Sequence, residues 1–269
     1  MLSDKITVLF IADIVGEPGI NIVLDHIAHL KKEQNVDFCI ANGENASRGK
    51  GITKTIVNQL VDAGINVITS GNHIWEKPQF AKHMEKFTMV LRPANYPEGN
   101  IGYGYSIHTI DSDTKLAVIN LQGRTYLPSI DCPFRTADRL IKELRRETKN
   151  IIIDMHAEAT AEKLAFAYYV DGQVSAVIGT HTHVQTADER ILKKGTAYIT
   201  DVGMTGPADS VIGLNKKIAI NRFIYQIPIR YQIAGGNARL DGIILKINRK
   251  SGKGHSIERI SFENSEKTG

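Results

Sequence analysis

The sequence predicts an α/β fold, turning α+β toward its C-terminal end. Three features carry that prediction. Short β-branched apolar runs alternate with helix-period segments through the first half. The first three runs are separated by one helical segment each, which implies parallel strands joined by crossovers. Residues 227–262 instead alternate strand-like runs with glycine turns, the pattern of an antiparallel meander.

Residues 6–12 (ITVLFIA) are the first buried-strand candidate. The helix-like stretch after them aligns Ile22, Val23, Ile27 and Leu30 on one face. A second strand is predicted over 36–41 (VDFCIA), and Thr53 is placed to cap a helix presenting Ile56, Val57, Leu60 and Val61. Gly64 closes that helix, and 65–69 (INVIT) supply the third strand. Further strands are expected at 89–91, 103–108, 116–121, 151–154, 174–178 and 196–200. A helix over 134–148 turns Phe134, Ala137, Leu140, Ile141 and Leu144 inward, and its interleaved basic and acidic residues read as a solvated face. The tail contributes runs at 227–233, 239–248 and 255–262. No linker or repeat divides the chain, so residues 1–269 are expected to form a single domain.

Composition narrows the class. With 42% hydrophobic and 23% charged residues, a disordered chain is excluded. The net charge of +4 is too slight to imply a stable nucleic-acid partner. No apolar run approaches the roughly 18 residues that span a bilayer, and no signal-peptide pattern opens the sequence. Cys39 and Cys132 are far apart with no CxxC spacing, so neither a disulfide framework nor a zinc knuckle is expected. These features predict a soluble cytoplasmic protein without membrane association, and leave a homo-oligomer open.

Chemistry gathers where the predicted strands end. Asp13 follows the first, Asn42-Gly43-Glu44-Asn45 the second, and Ser70-Gly71-Asn72-His73 the third. His156 follows 151–154, and Gly179-Thr180-His181-Thr182-His183 follow 174–178. In α/β sheets, ligands sit beyond the carboxyl ends of the strands. Carboxylates, amide oxygens and imidazoles together suit a pair of divalent cations. On an extended segment His181 and His183 would point to one side, offering a ring nitrogen to each of two ions. Two such ions, set against Asp13, Glu44 and a bridging hydroxide, leave about one positive charge, which attracts a phosphate ester. Ions roughly 3.5–4 Å apart activate a bridging hydroxide for in-line displacement. Asp13 by itself would read equally well as a helix N-cap.

In this order, Asp … Gly-Glu-Asn … Gly-Asn-His … His … Gly-Thr-His-Thr-His resembles the calcineurin-like metallophosphoesterases. It is more closely similar to their bacterial YmdB-like cyclic-nucleotide phosphodiesterase subfamily. The stretches 42–46 (NGENA), 92–97 (RPANYP), 120–125 (NLQGRT), 156–160 (HAEAT) and 200–207 (TDVGMTGP) carry the same resemblance. It implies a metallophosphoesterase-type two-sheet β-sandwich flanked by helices, and two divalent ions, iron or manganese. Asp13, Glu44, Asn45 and His183 would hold one ion, and Glu44, Asn72, His156 and His181 the other, with Glu44 bridging. His73 would protonate the leaving alkoxide, a role suited to an imidazole at neutral pH. The substrate would be a small-molecule phosphodiester, above all a 2′,3′- or 3′,5′-cyclic nucleotide. The sequence departs from the broader superfamily in three places: Val15 stands where most members have a histidine, Glu44 where most have aspartate, and Ile74 where most have an acid after the catalytic histidine. The first two fit the subfamily, with Asn45 replacing the missing ligand; the third leaves His73 without its usual acidic partner.

Around this set, Arg92 and Arg124 are candidate phosphate contacts, each equally suited to a salt bridge. Asp154, Glu158 and Asp201 are candidates to support the histidines, and Asp201, at a strand end, is also placed to be a direct metal ligand. Trp75 and Tyr96 are suited either to stacking on a base or to packing in the core. Two other functions fit less well. An amidohydrolase would carry its H-x-H near the first strand, whereas here it comes late. A metal-bearing regulatory scaffold that binds a nucleotide with weak or no turnover would need the ligand set but not His73.

Overall fold

A computed structural model of the protein describes residues 4–264. Alternation in its first strand sets the layering. In β1 (Lys5–Ile11), Ile6, Val8 and Phe10 enter one buried cluster while Leu9 and Ile11 enter another, because successive side chains point to opposite faces. After β2 (Asp13–Ile14) comes α1 (Gly16–Glu33), with Glu17 in its first turn and Lys31 and Lys32 in its last, the arrangement that suits the helix dipole. Then follow β3 (Phe38–Asn42) and α2 (Lys54–Asp62), whose Thr53 side chain accepts a bond from Ile56 N as expected of the cap. β4 (Val67–Thr69) and the short α3 (Pro78–Ala81) complete this part.

The second part runs β5 (Tyr105–Asp111), β6 (Thr114–Gln122), α4 (Pro133–Leu144), β7 (Ile151–His156), α5 (Thr160–Tyr169) and β8 (Ala176–Thr180). β9 (Arg190–Ile191), β10 (Ala197–Ile199), β11 (Met204–Pro207) and α6 (Lys216–Tyr225) lead to the long hairpin of β12 (Ala238–Asn248) and β13 (Gly254–Glu263).

Two mixed sheets result. One is ordered β2-β11-β12-β1-β3-β4, with β13 paired to β12; the other is ordered β5-β6-β7-β8-β10-β9. β1, β3 and β4 are parallel, as their helical connections require, and so are β6, β7, β8 and β10. Ile6, Val8 and Phe10 meet Val118, Ile152, Ile178 and Ile199 between the sheets. Helices α1 and α2 cover the outer face of the first sheet through Val23, Ile27, Val57 and Leu60. Helices α4 and α5 cover the second through Leu140, Ile141, Leu144 and Phe166. The architecture is the two-sheet sandwich flanked by helices that the resemblance implied.

Three sequence expectations are corrected. Residues 227–233 are not a strand. Pro228 lacks the N–H that a ladder needs, and the segment makes only an isolated bridge from Ile233 to Leu214. The helix expected over 134–148 ends at Leu144. Residues 89–91 form only isolated bridges, Val90 with Ile68 and Leu91 with Tyr103. Among the described residues, no helix is long and apolar enough to cross a membrane.

Cys39 and Cys132 are both free thiols, and burial pushes the Cys39 thiol up to about 12. At pH 8 the native protein is therefore expected to release one equivalent of thionitrobenzoate from Ellman's reagent, from Cys132, and two once denatured. Two rapid equivalents from the native protein would contradict the burial of Cys39.

Candidate metal centre

The carboxyl ends of strands from both sheets meet at one end of the sandwich. β3 and β7 are stitched across the sheets there by Asn42 Nδ2, which donates to Asp154 Oδ2 at 3.2 Å. Ser70 N, just beyond β4, donates to Asn120 Oδ1 of β6 at 2.9 Å. Both sheets thus deliver side chains to one place. Asp13 lies on β2, Glu44 and Asn45 follow β3, Asn72 and His73 follow β4, His156 ends β7, and His181 and His183 follow β8.

The geometry gathers Asp13, Glu44, Asn45, His156, His181 and His183 into two adjoining groups. In one, His156 Nε2 lies 3.1 Å from Glu44 Oε1 and 3.0 Å from His181 Nδ1. Ligand atoms of Glu44, His156 and His181 all lie within 4.8 Å of one another. In the other, His183 Nε2 lies 3.5 Å from Asp13 Oδ2 and 3.3 Å from Asn45 Oδ1. The groups touch where His181 N donates to Asp13 Oδ2 at 3.2 Å.

The ring orientations follow from the outer partners. Thr180 Oγ1 donates to Asp154 Oδ1 at 2.7 Å, so it accepts from His156 Nδ1 at 2.9 Å. His181 Nε2 faces Glu158 Oε2 at 3.0 Å, and His183 Nδ1 donates to the Ile212 carbonyl at 3.0 Å. Each imidazole is tied through one nitrogen and turns the other toward the buried oxygens. Asp13 Oδ1 and Glu44 Oε1 are buried there without any hydrogen-bond partner, and Asn72 Oδ1, beyond β4, is likewise buried and unpartnered. Lone pairs facing lone pairs are costly when buried, unless a cation sits between them. The donor set, carboxylate and amide oxygens with imidazole nitrogens, suits a divalent transition metal.

Electrostatics points the same way. Burial would lower the His156 pKa, but the Glu44 carboxylate, with Asp13 and Asp154 behind it, outweighs burial and raises it to about 9. Burial likewise opposes ionisation of Glu44, yet His156 beside it holds it well below the usual carboxylate range. Burial, with His156 beside it, pushes His181 down to about 3, which leaves its ring neutral. Burial raises Asp13 despite its contact with His183. One extra proton on His156 thus serves a cluster of bases that a metal cation would serve better.

His73 lines the cavity beside this cluster. Its backbone N–H donates to Glu44 Oε2 at 3.2 Å. Asn45 Nδ2 donates to Gly49 O at 2.9 Å, which fixes the amide orientation, and lies 3.2 Å from His73 Nδ1. Glu44 Oε1, 3.4 Å from the same nitrogen, makes no hydrogen bond. An amide donor at Nδ1 leaves the ring proton on Nε2. Asn45 is thus the orienting partner in place of the acid that position 74 lacks.

One geometric expectation fails. The H-x-H is not extended: His181 and His183 both have positive φ, 102° and 61°. Such values are uncommon outside glycine and concentrate at functional sites. Rather than pointing to one side, the rings diverge, one to each group. A feature not legible in the sequence holds this turn. Lys163, fully buried in α5, donates to Thr180 O at 2.8 Å and to Asp201 Oδ2 at 2.7 Å. That carboxylate also accepts from Thr182 N and Oγ1. Asp201 therefore supports the loop, not a histidine ring.

Other candidates are not brought to the site. Arg92 spends its guanidinium on the carbonyls of Pro93, Asn100 and Ile101, and Arg124 is exposed. Neither lines the cavity beside this cluster. The Asn95 side chain donates to Gln122 O and accepts from Gln122 N, so 92–97 and 120–125 stitch β6 to the preceding loop. Trp75 and Tyr96 pack edge to face, 5.3 Å between ring centroids, against the core. The cavity is walled instead by 229–235, with Arg48, Lys50 and Lys77 also lining it.

Known proteins are similar to this chain over nearly its whole length. The chain is 49% identical over 253 residues to a 2′,3′-cyclic-nucleotide 2′-phosphodiesterase of Bacillus subtilis, covering 94% of this chain and 96% of that one. A crystal structure of a phosphatase from Mycoplasma pneumoniae superposes with a TM-score of 0.91 at 35% identity, over 98% of this chain and 95% of that one. A hypothetical protein from Thermus thermophilus superposes with a TM-score of 0.90 at 38% identity, over 97% and 100%. The sequence profile of the YmdB-like proteins matches residues 9–260, and the chain belongs to that family.

Proposed function

We propose that this protein, a single catalytic domain over residues 1–269, is a dimetal phosphodiesterase that hydrolyses cyclic nucleotides, 2′,3′-cyclic ones foremost. The observation that carries the reading is the convergence of three oriented imidazoles on partnerless buried oxygens, beside a histidine that keeps its proton on the cavity side. The similarity to the Bacillus enzyme supports the substrate class. Asp13, Asn45 and His183 would hold one cation, and Asn72, His156 and His181 the other, with Glu44 shared. Iron or manganese suits these donors. When bound, such a pair supplies a nucleophile at neutral pH and neutralises charge on both sides of an in-line displacement.

The protein's own groups do the rest. Asn45 sets the His73 tautomer, and the Glu44 contact at His73 N fixes its backbone, so Nε2–H can be handed to the departing ribose oxygen. Asp154, through Thr180, keeps the His156 proton on Nδ1. The Lys163–Asp201 pair holds the His181–His183 turn.

The test is His73→Ala. Turnover of bis-p-nitrophenyl phosphate and of 2′,3′-cyclic AMP is expected to fall by about 10²–10³, with metal content by elemental analysis unchanged. Activity close to wild type would remove His73 from the mechanism.

A further inference from the structure

We infer that Tyr231, backed by Arg222, is the platform on which the substrate's nucleobase stacks; the inference rests on the cyclic-nucleotide reading above. The cavity over the metal-binding residues has a volume of about 1280 Å³. That is more than a cyclic phosphate and its ribose occupy, and cavities of roughly 300–1,000 Å³ already hold drug-sized ligands. Its lining includes His73, His181 and His183 together with the strap 229–235, which carries Tyr231.

The strap is held in place on both sides of that ring. Asn215 N donates to Gln232 O at 2.9 Å, and Ala234 N to Gly213 O at 3.0 Å. Ile233 is seated between two left-handed glycines, Gly16 and Gly49, where an added Cβ would come within 3.1 and 2.7 Å of its side chain. On the other side, Arg222 Nη1 donates to Ile229 O at 3.1 Å, while its guanidinium carbon lies 3.9 Å from the Tyr231 ring centroid. That distance is a stacking contact, and it fixes the plane of the ring.

Tyr231 nevertheless remains 44% exposed, and its hydroxyl makes no hydrogen bond among the described residues. A buried tyrosine normally finds a partner for its hydroxyl; here the ring itself is what the strap presents. The Lys50 ammonium stands 5.9 Å from the centroid on a half-exposed, flexible stem, and the base would take its place over the ring. Trp75 and Tyr96 are occupied with each other and do not line the cavity. Stacking on one aromatic face tolerates every base, so the site would discriminate nucleoside phosphodiesters from aliphatic ones and not one base from another.

The test compares Tyr231→Ala and Tyr231→Phe with the wild type, all manganese-loaded, on 2′,3′-cyclic AMP and on glycerol 1,2-cyclic phosphate, which has no base. Tyr231→Ala is expected to raise KM for the nucleotide about tenfold, leaving kcat and the glycerol substrate unchanged, while Tyr231→Phe behaves as wild type. Equal losses on both substrates, or no change on the nucleotide, would overturn the platform. Calorimetric binding of 3′-AMP and glycerol 2-phosphate provides a readout independent of turnover. If the wild type hydrolyses neither cyclic ester, the hydrolytic reading fails, and the platform stands only if Tyr231→Ala weakens 3′-AMP alone.

Discussion

Glu44→Gln is expected to bind far less divalent cation than wild type and to lose about 10³-fold in turnover, the worth of several kcal/mol of charge stabilisation. The carboxylate is 1% exposed, and its Oε1 has no hydrogen-bond partner although it faces His156 Nε2 at 3.1 Å. An amide of the same shape keeps one oxygen but supplies no charge, so the two proposed cation positions sharing this residue would lose affinity together. A variant with a full metal complement would sink the shared-ligand assignment. The substitution also tests the metal-free site. There His156 is raised from its ordinary 6.5 to about 9, so the pair's contribution to stability is fully present below pH 6.5 and is lost as the pH rises through about 9. Thermal unfolding of metal-free wild type and variant should therefore differ at pH 6 and converge by pH 10. Breaking a buried pair costs about 3–5 kcal/mol at most, because the stranded histidine can release its proton.

Gly71→Ala should be as damaging with no change of charge. A Cβ at position 71 would lie within 3.0 Å of His156 Cδ2 and Nε2 and of Glu44 Oε2. Neither neighbour can yield cheaply. His156 is pinned through Nδ1 to Thr180 and Asp154, and Glu44 Oε2 accepts from His73 N. One methyl group thus displaces two side chains of the proposed cation site and the backbone that holds His73, the proposed proton donor. A misplacement of about 1 Å costs about 100-fold, and displacing the ligands of both cations should take the loss to about 10³-fold. The measurement is turnover alongside metal content and a melting curve. An active Gly71→Ala with intact metal would show that Glu44 and His156 do not sit where the geometry places them.

These two residues also show where sequence reading works. Strand-end chemistry is local: Asp13, the Gly-Glu-Asn and Gly-Asn-His turns, and the Gly-Thr-His-Thr-His turn all sit next to runs whose apolar periodicity marks them as strands. The parallel β1–β3–β4 unit follows from short helical connections for the same reason. Helix α5 was hidden because its inward stripe contains Lys163, a lysine that is buried only because Asp201, 38 residues on, meets it. Helix α6 carries apolar residues on exposed positions such as Phe223 and Ile224, so no periodic face announces it. Residues 227–233 alternate like a strand, yet Pro228 and the absence of a neighbouring strand leave them as a wall of the cavity.

The sequence by itself determined the fold class, the order of the chemistry-bearing turns and the kind of ligand they suit. Periodicity and residue type act over a few neighbours and need no partner to be read. Only the tertiary structure decided which groups face one another. It turned His181 and His183 apart through two positive-φ residues. It supplied Asn45 as the partner of His73, withdrew Arg92 into its own loop, and brought Tyr231 into the lining of the cavity. Each of these depends on backbone angles or on contacts between residues distant in the chain, and sidedness, tautomer and burial exist only once the two sheets have closed on each other.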